Sequence, residues 1–311
     1  MSAIRTIDLT KRYGSHTAVS EVNLTVDAGE VYGFLGPNGA GKSTTIGMLL
    51  SYVHPTEGTA RVFGKDVREE SVAIKRRVGV LPESCRLYDR LTGRKHLQFA
   101  IDAMDADDDP DTLVDRVGLE PDAARRPVSE YSTGMKQRLK IAVALIDEPD
   151  LLVLDEPSGG LDPAGIQLLR ELVLEERDRG AAVFFSSHIL EQVEAVCDRI
   201  GILVDGCLRT SGDIEVLKSD TGPAVELDIE VDVLSSELVT ALESIDAVTA
   251  CTATEGGVAK ANPAVTVAVS TGSAKAKILR TVEEYATVED FAAEEPSLES
   301  LFDEQVAEAK R

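Results

Sequence analysis

Apolar residues in the first part of the chain fall into short windows bounded by glycine, serine and aspartate. Ile4 to Leu9, Val19 to Val26 and Val31 to Leu35 are therefore predicted as strands. A glycine-rich stretch follows the third window, and Lys42 to Leu50 is predicted as the helix behind it. Between about Leu87 and Ile146 the period changes. Leu97, Ile101 and Met104 recur at i, i+4 and i+7 behind Thr92, a predicted N-cap, and the stretch 87–147 reads as a mainly helical insert. Beyond it, Leu151-Leu152-Val153-Leu154 and Ala182-Val183-Phe184-Phe185 are unbroken apolar runs, the texture of strands covered on both faces of a parallel sheet. Ligands of open α/β sheets bind outside the carboxyl ends of such strands, which places Asp155, Glu156 and His188 where chemistry is expected.

From about residue 220 the texture changes again. Val225 to Val233 alternates apolar with acidic residues, a strand with one wet face and one buried face. A helix at Ser236 to Ile245, strands at Val248 to Thr252 and Val265 to Val269, a helix at Ser273 to Tyr285 and a strand at Val288 to Phe291 complete a βαββαβ order, the ferredoxin-like arrangement. The expected organisation is an α/β domain over 1–218 and a small α+β domain over 222–311. No internal repeat is visible.

Charge narrows the partners. The 311 residues carry 55 acidic and 32 basic side chains, a formal net charge of -23, which argues against non-specific binding to nucleic acid or anionic lipid. After Lys218 there are 19 acidic and 6 basic residues, so this tail holds more than half of the excess. Such acidity resembles proteins of high-salt cells, with an ordinary acidic cytosolic protein as the alternative. Cys85, Cys197, Cys207 and Cys251 are scattered without a C-x-x-C pair and read as free thiols. The acidic run Asp105 to Asp109 lacks a loop-forming glycine pattern and reads as a solvated connection rather than a metal site. No apolar run approaches the ~18 residues of a membrane span, and Met1 to Arg5 does not open a signal sequence, so a cytoplasmic chain without direct membrane insertion is expected.

The strongest local motif is Gly36-Pro37-Asn38-Gly39-Ala40-Gly41-Lys42-Ser43-Thr44, which fits G-x-x-x-x-G-K-[ST] between a predicted strand and a predicted helix. Glycines let backbone amides close around phosphate oxygens, Lys42 reaches the β- and γ-phosphates, and the Ser43 hydroxyl suits a magnesium ligand. In Leu154-Asp155-Glu156-Pro157 two carboxylates stand at the phosphate end of the sheet. Asp155 suits the metal, and Glu156, on the other side of the strand, suits polarisation of the attacking water. His188 is a candidate contact to the γ-phosphate or its water. Kinases, GTPases and motor ATPases all stay open at this point. Tyr131-Ser132-Thr133-Gly134-Met135-Lys136-Gln137-Arg138-Leu139 then starts a second helix whose N-terminal amides offer another anion site. Two such helix ends far apart in one chain suggest two chains sharing each nucleotide.

In their order along the chain these residues resemble the ATP-binding cassette of ABC transporters, over about Ile4 to Leu217. Tyr13 is similar to the aromatic residue that stacks on adenine, Gly36 to Thr44 to the Walker A loop, and Leu151 to Glu156 to Walker B. Ser132-Thr133-Gly134-Met135 resembles a variant signature loop, with Thr133 and Met135 where glycine and glutamine are common. Gly159-Gly160-Leu161-Asp162 resembles the D-loop and His188 the switch histidine. The resemblance implies a P-loop cassette with an antiparallel β subdomain, a RecA-like core and a helical subdomain. It implies ATP and Mg2+ as ligands and a head-to-tail dimer, homodimeric by expectation, in which Ser132, Thr133, Gly134 and Asp162 reach the partner's ATP. It also implies a separate membrane permease driven from the cytoplasmic face of the membrane. The variant signature, and a tail ending in Pro296-Ser297-Leu298-Glu299-Ser300-Leu301-Phe302, resemble the ABC-2 export branch. Glu83 lies where the family's Q-loop carries glutamine, and is expected to give magnesium a carboxylate oxygen while the loop after it receives the permease. A soluble ABC protein serving translation or cofactor assembly is the alternative, and an ATP-binding scaffold without turnover a further one.

Overall fold

Partial burial along Ser2–Tyr13 and complete burial of Val31–Leu35 mark two different sheets. In the computed structural model, which describes residues 2–220, 225–254, 262–270, 272–294 and 298–309, the first part runs β1 (Ser2–Tyr13), β2 (His16–Val22), β3 (Thr25–Asp27), β4 (Val31–Leu35), α1 (Lys42–Leu49), β5 (Glu57–Val62), β6 (Lys65–Asp66), α2 (Ser71–Lys75) and β7 (Val78–Leu81). The helical insert follows as α3 (Gly93–Met104), α4 (Pro110–Arg116), α5 (Pro121–Ala124) and α6 (Thr133–Ala144). Then come β8 (Leu151–Asp155), α7 (Pro163–Arg179), β9 (Ala182–Ser187), α8 (Leu190–Glu194), β10 (Arg199–Val204), β11 (Cys207–Asp213) and α9 (Ile214–Asp220). The tail is β12 (Val225–Val231), α10 (Ser236–Glu243), β13 (Val248–Thr254), β14 (Ala264–Val269), α11 (Lys275–Tyr285), β15 (Val288–Glu294) and α12 (Leu298–Ala309). Two compact units result, Met1–Ile214 with Gln305–Arg311, and Glu215–Glu304.

In the larger unit a six-stranded sheet has the order β11-β10-β4-β9-β8-β7, parallel except for the β10–β11 hairpin. Every residue of β4, β8 and β9 is buried, which is why their sequences run apolar without alternation. Tyr32 and Phe184 stack across neighbouring strands with ring centroids 5.9 Å apart. β1, β2, β3, β5 and β6 form a separate antiparallel sheet. The single strand expected over Val19 to Val26 is broken. The Asn23 side chain accepts from the Asp8 amide at 2.9 Å and donates to Glu21 O at 3.0 Å, replacing ladder bonds, so β2 and β3 pair with different stretches of β1.

In the insert, Thr92 caps α3 as expected, its hydroxyl accepting from Lys95 N at 3.2 Å. Leu97 and Ile101 are buried, but Met104 is exposed because α3 ends there on Asp105 in the left-handed region. The acidic run has structural work: Asp109 caps α4 through Thr112 N, and Asp108 accepts from Asp147 N at 2.9 Å. Across the insert's edge, the fully buried Glu176 of α7 holds Arg116 of α4 at 2.5 Å and Arg179 at 2.6 Å.

The smaller unit is a four-stranded antiparallel sheet in the order β13-β14-β12-β15. With its helices in βαββαβ sequence, this is the ferredoxin-like arrangement the alternation predicted. Val225, Leu227, Ile229 and Val231 point to one side and pack with Leu238, Leu242, Ile278 and Val282, while Glu226, Asp228 and Glu230 occupy the wetter face. Of the closing segment expected near the end of the chain, Pro296 and Ser297 lie outside the described residues; Leu298 opens α12.

Candidate functional site

β4 ends at Leu35 and the chain turns through a tight loop into α1 at Lys42. Two glycines of that loop are required by space. A Cβ on Gly36 would lie 2.4 Å from Leu203 O, and one on Gly41, whose φ is +106°, 2.5 Å from Ala18 O. The loop borders a cavity of about 300 Å³ lined by Pro37, Asn38, Gly39, Gly41, Lys42, Ser43 and Thr44, with Tyr13, His16 and Ala18 on one side and Glu156 on another. Gly36 contributes through its carbonyl, and the Ala40 side chain is buried in the core instead. His16 was not predicted. It faces Tyr13 across the β1–β2 turn, and only that two-residue turn in the sequence could have revealed it.

Lys42 is buried, its ammonium donating to Gly36 O at 2.6 Å and standing 3.5 Å from Glu156 Oε1. Asp155, also buried at the end of β8, accepts a hydrogen bond from Ser186 Oγ of β9 at 2.7 Å, which fixes its rotamer. Glu156 turns the chain in the left-handed region, φ +50°, and its amide donates to Ser186 O at 3.1 Å. One of its carboxylate oxygens, Oε2, faces His188 Nδ1 at 2.8 Å; the other, Oε1, is buried without a hydrogen-bond partner. An ionised carboxylate accepts only, so the imidazole proton of this pair sits on Nδ1 and His188 orients Glu156. Lys42 and Glu156 line the cavity, while Asp155 and His188, each bonded to its neighbour on the adjoining strand or loop, are not among its lining residues.

The Ser132 end of α6 stands elsewhere. Ser132 Oγ caps the helix by accepting from Met135 N at 3.2 Å, which leaves its own proton free to donate. Asp162 caps α7 through Gly165 N at 2.9 Å. Ser132, Thr133, Gly134, Met135, Gly160 and Asp162 border a cavity of about 880 Å³ that shares no lining residue with the one at Lys42. Glu83 is exposed on the loop after β7 and is not among the residues lining the Lys42 cavity. Downstream on the same loop, Cys85, Arg86, Leu87 and Asp89 face Lys136 and Lys140 of α6 across a cleft of about 340 Å³. The cleft wall is built: Tyr88 N donates to His96 Nε2 at 2.7 Å, and Ser129 N to Asp89 O at 3.0 Å.

A glycine loop turning a buried strand into a helix, opposite paired carboxylates on the next strand but one of a parallel sheet, defines a P-loop nucleoside-triphosphate hydrolase. Known proteins resolve the class further. The ABC transporter family model matches residues 19–159. Bacitracin transport ATP-binding protein BcrA of Bacillus licheniformis is 40% identical over 229 residues, 73% of this chain and 74% of the relative. Daunorubicin/doxorubicin resistance ATP-binding protein DrrA of Streptomyces peucetius is 40% identical over 228 residues, 72% and 69% of the two chains. A solved ATP-binding subunit of an ABC transporter superimposes with a TM-score of 0.65 at 31% identity, covering 70% of this chain and 92% of its own. A dimeric cassette in a post-hydrolysis state with ADP and Pi shares the fold, TM-score 0.61 at 24% identity, covering 68% of this chain and 98% of its own. The chain belongs to the ATP-binding subunits of ABC transporters and is an ATPase. Among the described residues no helix is long and apolar enough to cross a membrane.

Proposed function

We propose that two copies of this chain bind head to tail and drive export through a separate ABC-2-type permease at the cytoplasmic face of the membrane. Each ATP is held by Gly36 to Thr44 of one copy and by Ser132, Thr133, Gly134 and Asp162 of the other. The observation that supports the reading is the separation, on one chain, of the Lys42 cavity from the Ser132 cavity, which have no lining residue in common, as halves of two shared sites would. Tyr13 stacks on adenine, with His16 at its edge. Lys42 and the N-terminus of α1 take the phosphates. Glu156, oriented by His188 through Oε2, polarises the attacking water; its Oε1 accepts no hydrogen bond and stands 3.5 Å from the Lys42 ammonium.

The donor set fits magnesium. Mg2+ binds through one or two carboxylates plus phosphates and keeps several waters, so a full protein cage is not needed. Among the described residues no cluster of three or more such ligands exists, while Ser43 lines the cavity and Asp155 is held rigid by Ser186. Ser43 and Asp155 would hold the ion, with Glu83, which lies outside the cavity lining, as an additional ligand brought in from the coupling loop, and the ion would supply positive charge against the phosphates. The permease docks at the cleft of Arg86, Lys136 and Lys140, which joins the Glu83 loop to the helix of the Ser132 loop. The names of the relatives, a bacitracin transport protein and a daunorubicin/doxorubicin resistance protein, support an export role.

Sedimentation of the purified Glu156→Gln chain tests the shared sites. Mg·ATP is expected to convert monomer to dimer, and the Ser132→Ala/Gly134→Asp pair to prevent it. A chain that binds ATP and stays monomeric at saturating nucleotide overturns the reading.

A further inference from the structure

We infer that Thr133 is a positioning residue whose methyl group, not its hydroxyl, locks the N-terminus of α6 to the segment following Glu156. The face offered to one nucleotide and the carboxylate serving the other then shift together. The inference rests on the head-to-tail reading above and goes beyond it, because it concerns a contact made inside one chain.

A Cβ on Gly160 would lie 2.4 Å from Thr133 Cγ2 and 3.3 Å from Thr133 Cβ, so the bare backbone of Gly160 lies directly against that methyl. Gly160 has φ +79°, where a side chain is strained in any case, so the notch that receives the methyl is kept open by two independent constraints. Gly134 is packed against the same residue: its own Cβ would stand 3.2 Å from Gly160 O. One turn further along α6, the buried Gln137 donates from Nε2 to Pro157 O at 2.8 Å. Beside it Arg138 reaches Asp162 Oδ1 at 3.5 Å and Gly118 O at 2.9 Å. Thr133, Gln137 and Arg138 are thus spaced i, i+4, i+5 on one helix, and they hold the segment at Gly160, Pro157 and Asp162.

The held segment begins at the residue after Glu156, and Gly159 N returns to Glu156 O at 3.3 Å. A displacement of the α6 N-terminus therefore has a short, packed route to the carboxylate. A helical threonine has two χ1 rotamers open to it, and packing against Gly160 selects the one that puts the methyl there. With Cγ2 nearest to Gly160, the hydroxyl is not the group that makes this contact. Where glycine stands at this position of the signature loop the methyl lock is absent, and only the Gln137 and Arg138 contacts would remain.

ATP turnover by the full chain carrying Thr133→Val, Thr133→Ser or Thr133→Gly tests the inference. Valine retains the methyl and drops the hydroxyl; serine does the reverse. Thr133→Val is expected to turn over at least about fivefold faster than Thr133→Ser and Thr133→Gly, because rescue by the residue that keeps only the methyl is not what a contact through the hydroxyl would give. Gln137→Met, at a residue that lines neither nucleotide cavity, is expected to lower kcat with KM for ATP within about twofold of the unsubstituted chain. Its combination with Thr133→Ser should cost less than the product of the two, since both act on one segment. A serine variant equal to or faster than the valine variant, or three variants within twofold of one another, overturns the inference. Failure of the shared-site reading is separately visible as the absence of an ATP-dependent dimer.

Discussion

Glu176 is a carboxylate with no solvent exposure, between two guanidiniums. Its Oε1 takes Arg116 Nη2 at 2.5 Å, and its Oε2 takes Arg179 at 2.6 and 3.1 Å. The Glu176→Gln substitution preserves shape while leaving both cations facing a neutral amide, one of whose ends is a donor. Removing one partner of a buried ion pair costs about 3–5 kcal/mol. Two features place this case at the lower end: Arg116 keeps the exposed Glu175 at 3.1 Å, and Arg179 keeps Pro149 O at 2.5 Å. A loss of about 3 kcal/mol is expected. For a unit of this size, that lowers the melting temperature by about 6–12 °C. Calorimetry of the full chain is the assay, with the larger unit's transition identified as the one that Mg·ATP raises. Glu175→Gln is the control, since a partner at the rim is worth at most about 1 kcal/mol. A loss below about 1 kcal/mol, or one equal to the control's, would show that α4 is not fastened to α7 through this carboxylate.

Glu156→Gln is expected to lower kcat by about 10²–10⁴-fold, the usual contribution of a positioned general base, with ATP affinity retained in equilibrium binding. A retained turnover removes Glu156 from the role. The magnesium dependence of ATPase activity should shift in Glu83→Gln, which exchanges a hard anionic ligand for a neutral one; superimposable curves refute the ligand role. In the smaller unit, Asp232 accepts from Thr287 N at 2.7 Å and Val233 N at 2.8 Å, and these bonds, the first above all, hold its carboxyl below the usual carboxylate range. A depressed folded pKa gives stabilisation that is complete above the unfolded pKa and is lost as pH falls through the folded one. The unit's unfolding midpoint should thus fall with acidification below the ordinary carboxylate range, and Asp232→Asn should flatten that dependence.

Much of the site was readable in the sequence because its signals are local. The loop Gly36 to Thr44 is one contiguous stretch between a strand and a helix. Leu151 to Glu156 carries both its burial and its carboxylates in consecutive residues, and the alternation of Val225 to Val231 sorts the two faces of β12. The misses are contacts across the chain. Nothing near Val22 announces that Asn23 will bond Asp8 and end the strand. His16 gains its place in the cavity only from the hairpin that sets it opposite Tyr13.

The sequence by itself determined which chemistry the protein carries: a phosphate loop, a carboxylate pair, a second helix end suited to an anion, and a tail with one apolar and one acidic face. Those features follow from backbone freedom, periodicity and charge, which act over a few residues. Only the tertiary structure decided how the parts are held. Ser186 sits under Asp155, Thr133 against Gly160, and Glu176 between Arg116 and Arg179. In the linear chain Glu176 is one more acid on an amphipathic helix. Its burial, and the cost of removing its charge, arise when α4 and α7 exclude water around it, because desolvation belongs to the assembled packing and leaves no mark on neighbouring residues.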